Sequence, residues 1–241
     1  MTFQGAPAAV DERPLIIFDC DGVLVDSEPI SLTVLVEMLT AAGLAMDEQR
    51  AAELFLGRSL SSTIAIAREQ FGVHIDDGFL HQMRTKLYSR FHEELKPIDG
   101  IADALQALED NDIDWCVASS SQPERIRLSL TITGILPRFA PQIFSATMVE
   151  HGKPAPDLFL HAAREMHHDP ARCTVIEDSP AGITAARAAG MRVFAFTGGG
   201  HAQAPALREA VGKLNADLSF DAMGDLLHLV RQNDQRDGQH P

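Results

Sequence analysis

"FDCDGVLVDSEP", residues Phe18–Pro29, sets the carboxylates of Asp19 and Asp21 one residue apart and follows them with Gly22. The run that leads into them, "PLIIFDC", is short and continuously apolar, the pattern of a strand covered on both faces of a parallel sheet. Charges at the mouth of such a strand are costly to desolvate unless something makes use of them.

Working outward, similar apolar runs recur at "DWCVASS", "QIFSA", "CTVIED" and "RVFAFTGGG". Helical patterns lie between or beside them: "GIADALQALEDN", "QPERIRLSLTITG", "APDLFLHAAREMH" and "SPAGITAARAAG". This alternation predicts an α/β fold with a Rossmann-like parallel sheet. The stretch 28–96 breaks the rhythm, because it holds helical patterns and no strand. "PISLTVLVEMLTAAG" has Leu32, Leu35, Val36 and Leu39 at helical spacing, Pro29 suited to the first turn and Gly43 to the stop. Residues 12–27 and 97–233 are therefore read as the core domain and 28–96 as an inserted all-helical cap domain, with Pro97 and Gly100 of "KPIDG" as the hinge back to the sheet.

Composition narrows the partners. The formal net charge is −14 with only 20 Lys plus Arg, which argues against nucleic acid or an anionic membrane surface. A site for an anionic substrate must then build positive potential locally. Cys20, Cys116 and Cys173 stand alone in apolar runs without a CxxC pair, which fits a reducing compartment. There is no run of 18 apolar residues and no basic n-region followed by an apolar stretch at the start, so a cytoplasmic protein is expected. Nothing in the sequence demands more than a monomer.

In an open α/β sheet, ligands bind outside the carboxyl ends of the strands. The polar clusters follow the strands here: Asp19 and Asp21, then Ser119, Ser120 and Ser121, then Glu177 and Asp178, with Lys153 in the "HGKPAPD" loop. Like charges about 4 Å apart cost about 4 kcal/mol at an effective dielectric near 20. Such a carboxylate group meeting a phosphate needs a cation, and hard oxygen donors suit Mg²⁺. Asp19 would then be free to attack phosphorus, and Asp21 to trade a proton with the leaving group.

"DCDGVLVDSEP", "VASSS", "GKPAPDLF" and "VIEDSPAGITAARAAG" resemble, in order and spacing, the four motifs of the haloacid dehalogenase (HAD) superfamily, and the resemblance runs from Leu15 to about His228. The insertion resembles the helical cap of the subfamily that includes phosphoglycolate phosphatase-like enzymes, sugar-phosphate phosphatases and β-phosphoglucomutase. The resemblance implies Asp19 as the nucleophile that becomes aspartyl-phosphate and Asp21 as general acid/base. It implies Mg²⁺ on the Asp19 and Asp178 carboxylates and the Asp21 carbonyl, with Glu177 acting through water. Ser119 and the Ser120 backbone N–H would hold phosphate, Lys153 would balance charge, and residues 22–27 would let the cap open and close.

The remaining features are weaker. Arg58, directly after Gly57, is a candidate substrate residue, whereas His74, Arg84, Lys86 and Arg90 read as helix-face charges. Ser119–Ser121 are expected to cap the helix that Pro123 begins as well as to bind. "TGGGH", 197–201, reads as a flexible loop with His201 near the site, and the cysteines read as core residues. β-Phosphoglucomutase-like caps carry a histidine and an arginine where this chain has Ser31 and Leu60, and a lysine where it has Gln122. The expected function is thus a Mg²⁺-dependent phosphatase of a small phosphorylated metabolite, a sugar or sugar-acid phosphate, with a phosphomutase as the alternative.

Overall fold

The computed structural model describes residues 11, 13–44, 46–55, 60–203 and 205–237. Strand β1 (Leu15–Phe18) is followed by four helices, α1 (Glu28–Ala41), α2 (Glu48–Phe55), α3 (Leu60–Phe71) and α4 (Asp77–Glu94). The chain continues through α5 (Ile101–Glu109), β2 (Asp114–Ser119), α6 (Pro123–Ile132), α7 (Leu136–Phe139) and β3 (Ile143–Ser145). It ends with α8 (Asp157–Glu165), β4 (Cys173–Glu177), α9 (Pro180–Ala188), β5 (Arg192–Phe196), α10 (Pro205–Gly212), β6 (Leu218–Phe220) and α11 (Leu226–Asp237).

The six strands form one sheet in the order β3-β2-β1-β4-β5-β6, and every pairing is parallel. Strand order reverses between β1 and β4, which opens the crevice where such sheets take ligands. All four β1 residues are fully buried. Their period-two alternation sends Ile16 and Phe18 to one face of the sheet and Leu15 and Ile17 to the other. On the first face Phe18 meets Phe139 edge-on at 6.1 Å between ring centroids, within a core that includes Leu105, Ile126, Leu130 and Leu226. The second face is covered by α8, α9 and α10 through Phe159, Ala162, Ile183, Ala186 and Leu207. Each large apolar side chain so buried contributes about 1.5–3 kcal/mol.

Helices α1–α4 carry a smaller cluster of their own, Leu35, Leu39, Ala51, Phe55 and Ala67. α1 starts with Pro29 in its first turn, and Gly43 follows its end at φ +92°. Where the chain leaves the sheet and where it returns, it pairs with itself: Asp26 N–H donates to Lys96 O at 3.0 Å and Ile98 N–H to Leu24 O at 3.0 Å. The two passages therefore lie side by side at the strand ends.

Two expectations are corrected. The "TGGGH" loop winds into a short 3₁₀ turn, Gly200–Gln203, with His201 buried, because that side chain has an ionic partner. Ser119–Ser121 do not cap α6: its N-cap is Gln122, without a side-chain hydrogen bond, because the serine hydroxyls are used elsewhere. β6 was not expected. It is three residues long at the sheet edge, too short for a periodic signal. Arg58 lies outside the described residues. No helix among the described residues is long and apolar enough to cross a membrane.

Candidate active site

Asp19 leaves β1 with its N–H donating to Ile176 O of β4 at 3.0 Å, so the sheet ladder itself fixes where its carboxylate emerges. Lys153 approaches from the segment before α8. Its ammonium has three donors and three acceptors: Asp19 Oδ1 at 2.5 Å, Glu177 Oε1 at 2.7 Å and Ala118 O at 3.0 Å. Burial opposes its charge, but Asp19 and Glu177 overcome that and hold the lysine pKa above its ordinary value. Asp19 goes the other way. Burial pushes its carboxyl well above the usual range against the pull of Lys153, and Glu177, Asp178 and Asp21 add to the rise.

Glu177 spends both oxygens on the protein. Besides Lys153 on Oε1, its Oε2 accepts from Asp178 N–H at 2.9 Å, Ser179 N–H at 2.8 Å and the Ser179 hydroxyl at 2.9 Å. Ser179 in turn accepts from Gly182 N–H at 3.1 Å and so caps α9. Asp178 is buried as well, and its Oδ2 lies 2.7 Å from His201 Nε2. This contact raises the His201 pKa to about 9 although burial opposes it. Gly22, at φ +82°, passes directly over the pair, and a Cβ there would sit 2.0 Å from Asp178 Oδ2.

Asp21 is fully engaged. Oδ1 accepts from the Ser27 hydroxyl at 2.6 Å and from Arg125 Nη2 at 2.8 Å, and Oδ2 accepts from the Ser121 hydroxyl at 2.7 Å. Burial alone would raise its pKa, but the Arg125 charge and these hydrogen bonds lower it. Ser119, the last residue of β2, is buried and accepts from Ser121 N–H at 3.1 Å.

Asp19, Asp21, Ser119, Ser120, Lys153, Glu177 and Asp178 all line one cavity of about 550 Å³, so every expected core residue of the site is brought together. Glu28, Gln122, Arg84 and Arg125 line it too. Of these, Arg125 and Glu28 were not anticipated; Arg84 is an exposed helix-face charge, as expected, and it also borders the cavity. The stripe Leu80, Met83, Arg84, Leu87 and Tyr88 on α4, at helical spacing, was the available signal for that wall. Lys86 and Arg90 do lie on the helix surface and pair with Glu37 of α1 at 2.5 and 3.2 Å.

The donor set fits a divalent hard cation. Buried Asp19 and Asp178 stand at neighbouring strand ends, and burial first, with neighbouring carboxylates adding to it, raises the pKa of both against the pull of Lys153 and His201. A second cluster of metal-ligating residue types, Asp11, Asp114 and His168, lies at the opposite pole, where β2 begins. There the Arg13 guanidinium already fills the centre, 2.7 Å from both Asp11 and Asp114.

Comparison with known proteins points to one family. Residues 16–196 match the haloacid dehalogenase-like hydrolase family. The chain is 32% identical over 187 residues to 6-phosphogluconate phosphatase of Escherichia coli (strain K12), covering 77% of this chain and 83% of that protein. It is 32% identical over 178 residues to a fructose-1-phosphate phosphatase of the same organism, covering 73% and 92%. A solved structure, a conserved haloacid dehalogenase-like protein of unknown function from Agrobacterium tumefaciens str. C58, superposes with a TM-score of 0.82 at 36% identity, covering 92% of this chain and 99% of that one.

Proposed function

This chain belongs to the haloacid dehalogenase-like hydrolase family, and from that premise we propose that it is a Mg²⁺-dependent phosphatase of a sugar or sugar-acid phosphate, working through an aspartyl-phosphate on Asp19. The similarity to phosphatases of small phosphorylated metabolites supports the substrate class. The observation that carries the mechanism is the buried Lys153–Asp19 contact at 2.5 Å, with Asp21 two residues on and hydrogen-bonded in the same cavity.

In this reading a carboxylate oxygen of Asp19 attacks phosphorus. The Asp19 O–P bond forms as the bond from phosphorus to the leaving oxygen breaks, and Asp21 in its protonated form gives that oxygen its proton. Asp21, again a carboxylate, then takes a proton from water as the water attacks phosphorus and releases Asp19. The resting hydrogen bonds to Asp21 favour the carboxylate needed in the second half. Lys153 holds negative charge on Asp19 and on the phosphoryl oxygens, and the Ser119 hydroxyl and Ser120 N–H bind the latter. The carboxylates of Asp19 and Asp178 and the carbonyl of Asp21 would hold Mg²⁺, with Glu177 acting through water, and the hydrogen bonds of Glu177 also position Lys153 and Asp178. When bound, the metal supplies charge neutralisation for nucleophile and phosphate together. Residues 28–96 act as the cap over this cavity.

The test is phosphate release from a panel of sugar phosphates, sugar-acid phosphates and phosphoglycolate, with Mg²⁺ and with EDTA, following free phosphate and remaining esters. Metal-dependent release supports the proposal. A rearranged ester without release makes the enzyme a phosphomutase, and no conversion of any ester overturns both.

A further inference from the structure

The cavity has two unlike ends. One holds the carboxylates, Lys153 and the serines of the strand ends. The other is walled by α4, with Leu80, Met83, Leu87, Tyr88 and the exposed Arg84, while Arg125 of α6 reaches the first end through Asp21 at 2.8 Å. In a chain of net charge −14, two arginines lining one concave space ask for an explanation.

Their hydrogen bonding differs from that of their neighbours. On α4, Lys86 and Arg90 are both paired with Glu37, yet Arg84, which lines the cavity, makes no ion pair or hydrogen bond among the described residues. Arg125 lies 5.4 Å over the Phe91 ring, which fixes its plane. Among the described residues only its Nη2 has partners, Asp21 at 2.8 Å and Ser31 at 3.4 Å, and its Nε is buried without one. Guanidinium donors are thus left over on both walls, one from α4 and one from α6.

We propose that Arg84 and Arg125 form a subsite for a carboxylate on the leaving group, so that the preferred substrates are phosphate esters of sugar acids rather than of neutral sugars. This deepens, and rests on, the phosphatase reading of the same cavity. Lys153 is answered by Asp19 and Glu177, and Arg125 by Asp21 with Glu28 beside it, whereas Arg84 has no carboxylate partner among the described residues. The planar fork of a guanidinium matches a carboxylate edge, and Leu80, Met83, Leu87 and Tyr88 stand beside it on the cavity wall. Because Arg84 comes from the inserted helices and Arg125 from the sheet layer, an anion between them ties the two walls together over the reacting phosphate. A cavity of about 550 Å³ accommodates a six-carbon acid phosphate.

The experiment compares two esters that differ at one carbon: a six-carbon aldonic acid 6-phosphate and the corresponding neutral polyol 6-phosphate. With Mg²⁺, the wild type is expected to favour the acid about tenfold or more in kcat/KM, and Arg84→Gln to bring that ratio close to one, mainly through KM for the acid. Arg84→Lys should retain part of the preference. Calorimetric binding of both esters to the Asp19→Asn protein, with and without Arg84→Gln, separates the two readings. Tighter binding of the acid that needs Arg84, in a protein whose wild type hydrolyses neither ester, would keep the subsite and overturn the phosphatase. An acid-to-polyol ratio near one in the wild type, or one that Arg84→Gln leaves unmoved, overturns the subsite.

Discussion

The Lys153 ammonium lies 2.5 Å from the Asp19 carboxylate, and both side chains are almost closed to solvent, at 3% and 10% exposure. Glu177 is 2.7 Å from the same nitrogen and still more deeply buried. Removing one partner of a buried ionic group leaves the others uncompensated and costs about 3–5 kcal/mol. Lys153→Met is therefore expected to lower stability by that order in urea unfolding with EDTA present. Adding Asp19→Asn removes one of the stranded charges, so the double variant should recover part of the loss. Strict additivity of the two single effects would show that the contact is not coupled.

Much of this site was legible because its residues sit at the ends of strongly apolar strands. "PLIIFDC", "DWCVASS" and "CTVIED" each announce a buried strand, and the polar residue that follows must emerge at the sheet edge. The sheet edge itself was not legible: "LSF" at 218–220 is too short to carry a period. Arg125 escaped for a different reason. It meets Asp21 across 104 residues of chain, and nothing local distinguishes it from Arg127 two positions on. Glu28 was hidden by its ordinary place at a helix start, and the place of Arg84 beside the cavity by its being a surface charge like its neighbours on α4. Strand ends fix direction locally, whereas which helix face closes over them is decided only by tertiary packing.

Asp19→Asn should abolish phosphate release while leaving the far-ultraviolet circular dichroism and cooperative unfolding of the wild type in place. An amide is close in shape to the carboxylate but cannot attack phosphorus. Rapid acid quenching during turnover should trap phosphate on the wild-type protein and none on the variant. Full activity in the variant would remove Asp19 from the mechanism.

Glu28 gives a pH signature. Burial first, then Asp21 and Asp178, raise its carboxyl from 4.5 to about 7. Below about 4.5 the group is neutral in both folded and unfolded chains and contributes nothing. As pH rises from there towards 7 the unfolded chain ionises first, so stability is lost, and above about 7 the deficit is constant. Glu28→Gln should therefore raise the urea midpoint at pH 8, by up to about 3 kcal/mol when converted, and change little at pH 4. An equal effect at both pH values would tie the change to packing and not to ionisation.

The cysteines should be inert in the native state. Burial pushes Cys20 and Cys116 well above the ordinary thiol value and Cys173 to about 12. At pH 8 the thiolate that reacts is absent and the sulfurs are covered. A disulfide-exchange reagent should find no fast thiol in the folded protein and three in guanidinium chloride. Fast labelling of one thiol would reveal local opening around it.

Gly182 offers the sharpest test of how Glu177 is held. Alanine is the better helix former by about 1 kcal/mol, and on that ground Gly182→Ala in α9 should stabilise. The structure predicts the reverse. A Cβ at Gly182 would fall 1.7 Å from Glu177 Oε1 and 1.9 Å from its Cδ. A free glutamate could swing aside, but this one is anchored by Lys153, by two backbone N–H groups and by the Ser179 hydroxyl. Displacing it breaks those bonds and shifts Lys153 relative to Asp19, beyond the overpacking cost of about 1–3 kcal/mol. Gly212→Ala in α10, where a Cβ meets nothing within 4 Å, is the control and should be neutral or stabilising. Urea unfolding of the two variants decides it: if Gly182→Ala is as stable as Gly212→Ala, Glu177 is not rigidly held and its role in positioning Lys153 fails.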